Sequence, residues 1–102
     1  KKKGVNALAR FYIGGEDVEV TDSRIMKLKY YILEQEMFYD ELKRNMIAYG
    51  IEIEKIENET VESSSINNVT NDVQKINEIG HILKENVVLP VHLEDVILDI
   101  LS

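Results

Sequence analysis

The pattern of apolar and polar positions divides the chain into two rhythms. Ile47, Tyr49, Ile51 and Ile53 recur at every second position, with Ala48, Gly50, Glu52 and Glu54 between them. That period of two predicts a β-strand with one face packed and the other in water, as in an antiparallel sheet covered on one side. From Thr70 onward the spacing lengthens to three and four. Val73, Ile76, Ile79 and Leu83 form one stripe, opposite Gln74, Asn77, Glu78, His81 and Glu85. This predicts an amphipathic helix, capped at Thr70 or Asn71, with Gln74 completing a capping box and Asn86 as the stop. Pro90 suits a first helical turn, and Glu94 and Asp95 suit the positive end of the helix dipole. Leu93, Val96, Ile97, Ile100 and Leu101 then give a last helix a wide apolar face, which needs a cover from the sheet or from another chain.

The first half is less regular. Leu8-Ala9-Arg10-Phe11-Tyr12-Ile13 reads as a short strand, Gly14-Gly15-Glu16-Asp17 as a turn, and Val18-Glu19-Val20 as the return strand. Thr21-Asp22-Ser23 either closes this hairpin or caps a helix. Residues 24–38 admit a helix, with Leu28, Ile32 and Phe38 on one stripe, or a strand, with Tyr31, Leu33 and Met37 on one face. The run Tyr30-Tyr31-Ile32-Leu33 favours the strand. Residues 39–45 read as a loop or one helical turn. Residues 57–68, rich in Glu, Asn and Ser, read as a loop with at most a short strand near Val61 or Ile66. The expected architecture is a single α+β domain over residues 1–102, with residues 1–7 a flexible basic tail. An antiparallel sheet of three to four strands is covered on one face by two C-terminal helices.

Composition narrows the function. The chain has 102 residues, enough for one modest core and too few for a second. It lacks cysteine, which removes disulfide scaffolds, thiolate metal sites and cysteine nucleophiles. No apolar run reaches the roughly 20 residues of a membrane helix, and no signal peptide is read after the opening lysines. Residues 1–29 hold seven Lys/Arg against four Asp/Glu, and residues 30–102 hold five against fifteen. The acidic body argues against nucleic acid as a partner, because phosphate binding needs a basic surface.

Motifs for chemistry are sparse. There is no phosphate-binding glycine loop, no nucleophile elbow and no paired-histidine zinc motif, and no cofactor is implied. His92, Asp95 and Asp99 fall at i, i+3 and i+7 and make a candidate metal cluster, against the plain reading of a polar helix face. Glu34, Glu36, Glu52 and Glu54 are candidate paired carboxylates on adjacent strands, against the plain reading of a solvated sheet face. Five tyrosines are many for this length, and tyrosine combines rigid apolar area with a polar tip. Tyr30, Tyr31 and Tyr49, with Leu98 on the last helix, are the candidate interaction residues. Neighbours on a strand point to opposite faces, so one of Tyr30 and Tyr31 is expected to reach solvent.

The segments Tyr30-Tyr31-Ile32-Leu33-Glu34, Tyr49-Gly50-Ile51-Glu52-Ile53 and Leu89-Pro90-Val91-His92-Leu93, followed by Asp95-Val96 and Asp99, resemble a family of short clostridial proteins of unknown function. The resemblance spans roughly residues 29–101. It implies a bacterial, cytoplasmic protein and supplies no catalytic residue or ligand. Three functions remain in view. The first is a non-enzymatic interaction or regulatory domain that binds a protein partner or self-associates. The second is a small metal-binding domain or enzyme built on His92, Asp95 and Asp99. The third is an acidic mimic of nucleic acid.

Overall fold

The computed structural model describes residues 4–21 and 23–102, with side chains from Leu8 onward. It has four strands, β1 Gly4–Thr21, β2 Arg24–Tyr39, β3 Arg44–Glu57 and β4 Thr60–Thr70. Helix α1 Val73–Glu85, a 3-10 turn Pro90–His92 and helix α2 Leu93–Leu101 follow. The strands form one antiparallel sheet in the order β1-β2-β3-β4. The α+β architecture read from the sequence, with strands first and two C-terminal helices, is the one observed. The tripeptide Lys1-Lys2-Lys3 and Asp22 lie outside the described residues, and β1 begins at Gly4, inside the stretch read as a tail.

Register fixes which side chains meet the helices. Ile32 pairs with Ile51 and Tyr30 with Ile53, so these residues share one face with Leu28. Ile76, Ile79 and Leu83 of α1 and Leu93 and Ile97 of α2 close over them. Each fully buried aliphatic side chain of this kind contributes about 1.5–3 kcal/mol through water exclusion. Tyr30 is fully buried, and its hydroxyl donates to the Val88 carbonyl at 3.0 Å. That bond ties the centre of the sheet to the α1–α2 connection. The connection is a Schellman stop, in which the Val88 amide donates to the Leu83 carbonyl and the Val87 amide to that of Lys84. It places Val87 at φ 51°, a costly conformation for a β-branched residue.

Several sequence expectations are corrected. Gly14-Gly15-Glu16-Asp17 is not a turn but the middle of β1, where a bulge leaves Ile13 unpaired between the pairs Tyr12–Tyr31 and Gly14–Tyr30, with Gly14 at φ +134°. Val18-Glu19-Val20 is the end of that same strand, and the chain reverses between the paired residues Thr21 and Arg24. Residues 57–68 are not a loop. Asn58 and Glu59, both at positive φ, form a tight turn between the paired residues Glu57 and Thr60, and β4 runs on to Thr70. Residues 24–38 are strand throughout. The cap of α1 is Asp72, whose carboxylate accepts from the Gln74 and Lys75 amides. Thr70 and Asn71 act one step earlier: the Thr70 hydroxyl accepts from the Asp72 amide, and the Asn71 side chain donates to the Ile47 carbonyl. Ala48 and Gly50, expected in water, are buried. At Gly50 the cause is β4, since a Cβ there would stand 2.2 Å from the Ile66 carbonyl oxygen.

Candidate functional site

A sheet with both helices on one side leaves its other side without a covering helix, although Leu33, Met37 and Ala48 on that side are buried. Register brings Tyr12, Tyr31, Glu52 and Ser65 into one row on that face, with Arg10 and Leu33 in the row on one side of it and Lys29 and Glu54 on the other. The central row is a cluster rather than a set of independent side chains. The Tyr12 and Tyr31 rings meet edge to face with centroids 5.6 Å apart. The Arg10 guanidinium stacks 3.6 Å from the centre of the Tyr31 ring. Its Nε donates to Glu52 at 2.9 Å, and its terminal nitrogen lies 3.6 Å from Glu54. The Tyr31 hydroxyl reaches Glu54 at 3.4 Å.

The electrostatics follow from these contacts. The hydrogen bond to Glu52 raises the Arg10 pKa above its ordinary value, outweighing partial burial. Burial raises the Tyr31 pKa, and the Glu54 charge adds to it, so the phenol stays neutral and able to donate. Arg10 contacts both carboxylates at once, Glu52 through its Nε and Glu54 through a terminal nitrogen. Tyr12 stays 59% exposed while its ring meets that of Tyr31 and its hydroxyl lies over Gly15. Lys27 and Lys29 continue the face beyond Gly15 and, with Tyr12 and Asp17, border a shallow depression.

The sequence candidates separate in space. Tyr31 lies in the cluster. Tyr30 is a fully buried strut, not a surface residue. Tyr49 packs half-buried against the core on the helix side. Leu98 is 62% exposed on the outer side of α2, far from the tyrosine row in sequence and on the helix layer. Glu34 and Glu36 pair with Tyr49 and Ile47 and share the helix-side face, whereas Glu52 and Glu54 project from the uncovered one. Register therefore separates the four carboxylates that strand proximity alone would group. His92 ends the 3-10 turn and Asp95 and Asp99 lie on α2, and among the described residues no group of three His, Cys, Asp or Glu could hold a metal ion.

Sequence reasoning missed Arg10 and Tyr12 as members of the site. The signal was available in the alternation Leu8, Arg10, Tyr12, which places all three on one side of the strand read there. The glycine pair misread as a turn hid which strand would lie beside it.

Among the described residues no helix is long and apolar enough to cross a membrane. No curated protein and no solved structure matches the chain. A family model covers residues 9–102, the strands and helices described above almost in full, and the chain belongs to that family, a family of unknown function (DUF6514).

Proposed function

We propose that the chain is a non-enzymatic interaction domain that engages a protein partner through the uncovered sheet face around Tyr12, Arg10 and Tyr31. The observation that carries this reading is the exposed Tyr12 ring standing on a prebuilt support. Tyr31, Arg10, Glu52 and Glu54 hold one another by stacking, hydrogen bonds and ion pairs. A side chain fixed before binding loses little entropy on contact, which favours Tyr and Arg as binding anchors. The partner is a protein, a second copy of this chain included, and the role is regulatory rather than catalytic. The bacterial, clostridial and cytoplasmic setting implied by the resemblance belongs to this proposal. Arg10, Lys27 and Lys29 interrupt the acidic charge on this face, which weighs against a mimic of nucleic acid.

The test compares the chain with a Tyr12→Ser/Arg10→Ser variant. Both residues are exposed, so the variant should keep its circular dichroism spectrum and lose at most about 1 kcal/mol. Immobilised wild-type chain should capture a defined protein from native lysate, or show a concentration-dependent mass by light scattering, and the variant should lose that interaction. An interaction unchanged in the variant, or a strictly monomeric wild type that captures nothing, would sink the proposal.

A further inference from the structure

We propose that the cavity between β1 and α1, on the helix side of the sheet, binds a small carboxylate that carries an apolar group about the size of a benzene ring. The cavity holds about 160 Å³, with Ile13, Ile32 and Gly80 as its floor and Asn77, His81 and Lys84 as its rim. The space is open to solvent on its rim side and mixed in polarity. Its volume is close to the roughly 150 Å³ that holds benzene in an enclosed apolar cavity, so it suits a ring or a short branched chain that keeps its polar end at the rim. The floor exists because Gly80 carries no side chain. A Cβ there would stand 2.7 Å from Ile13 Cδ1, so glycine allows α1 to lie close over β1 and β2. Phe11, the cross-strand partner of Ile32, is 49% exposed.

The rim supplies the charge preference. Asn77, His81 and Lys84 follow one another at i, i+4 and i+7 and so line one side of α1. The Lys84 stem crosses the bulge at Gly14, where a Cβ would meet its Cδ at 2.9 Å and its Nζ at 3.0 Å. Among the described residues, Arg10, Arg24 and Lys55 each have a carboxylate partner. Lys84 is half-buried and has no ion pair there, although acidic residues outnumber basic ones nineteen to twelve. An ammonium without a carboxylate partner at the edge of an apolar floor attracts an anion whose own apolar part can enter that floor. His81 lies 3.5 Å from Glu85, so a carboxylate already stands beside it, which leaves Lys84 as the anchor and Asn77 as a neutral donor. The site is on the opposite side of the sheet from the Tyr12 cluster and does not depend on it.

The experiment is an amide NMR titration of the full chain with sodium benzoate, with benzyl alcohol and sodium acetate as comparisons and ionic strength held constant. Benzoate should produce saturable shifts centred on Ile13, Gly14 and Gly80, with acetate and benzyl alcohol at least about fivefold weaker. Lys84→Met keeps the stem that packs on Gly14 and removes the charge. It should weaken benzoate about fivefold or more while leaving benzyl alcohol unchanged. Absence of saturable shifts at those amides, equal binding of benzoate and benzyl alcohol, or a Lys84→Met chain that binds benzoate as well as wild type would each overturn the proposal.

Discussion

The Tyr30 hydroxyl offers a perturbation of a single atom whose consequences can be worked out at two pH values. Tyr30→Phe keeps the ring among Leu28, Ile53 and Leu83 and removes only the bond to the Val88 carbonyl at 3.0 Å. Val88 is 9% exposed, so its carbonyl loses a partner that water replaces poorly. A lost hydrogen bond with one buried group left unsatisfied costs about 1–3 kcal/mol. For a chain of this size that is a fall in Tm of roughly 4–8 °C per kcal/mol. The second consequence appears in alkali. Burial, with the Glu16 charge behind it, pushes the Tyr30 pKa up from 10.0 to about 12. The folded state therefore keeps the proton to higher pH than the unfolded chain does. The stability linked to that shift is complete below pH 10 and is lost as pH rises through about 12. At about 1.4 kcal/mol per unit, the loss is roughly 2–3 kcal/mol. Urea unfolding followed by circular dichroism at pH 7 and across the alkaline range measures both effects. The wild type should fall more steeply than Tyr30→Phe above pH 10. A neutral-pH difference below about 0.5 kcal/mol, together with parallel alkaline limbs, would refute the placement of Tyr30 as a buried strut.

Three further outcomes follow from particular contacts. Gly50→Ala drives a Cβ into the Ile66 carbonyl and the Asn67 backbone, at 2.2 and 2.9 Å; it should cost about 2–3 kcal/mol, read as a lower urea midpoint, because a backbone cannot swing aside as a side chain can. Asp72→Ala removes the carboxylate that caps the Gln74 and Lys75 amides; about 1 kcal/mol should be lost, with Asp72→Asn retaining most of it. Glu59→Gly relieves a non-glycine residue at φ 65° in the β3–β4 turn; it should raise the thermal midpoint by the equivalent of about 0.5–1 kcal/mol, since Asn-Gly is the preferred pair for such a turn.

Legibility in the sequence followed burial. β3 and α1 could be read because their inward positions are apolar at the right period and end in Ile51, Ile53, Ile76, Ile79 and Leu83, all buried. β4 could not, because it is an edge strand with little to bury: Ser63-Ser64-Ser65 and Asn67-Asn68 carry no alternation, and only Ser64, Ile66, Val69 and Thr70 are even half-buried. Its strand state comes from pairing with β3, a tertiary cause that propensity does not record. β1 was misdivided because glycine serves two purposes. The positive φ of Gly14 makes a bulge in a continuing strand, and the same freedom makes turns elsewhere. The candidate site inherited both difficulties. Tyr31 was visible on its own strand, but its neighbours Arg10 and Tyr12 come from β1 and its acidic partners Glu52 and Glu54 from β3, and only register assembles them.

The most direct test of the interaction face is site-specific photocrosslinking in native lysate. A benzophenone side chain placed at Tyr12 should trap one defined protein, or a second copy of this chain, while the same group at Lys75 on the exposed side of α1 should not. Equal labelling from the two positions, or none from position 12, would contradict the assignment of the uncovered sheet face as the binding surface.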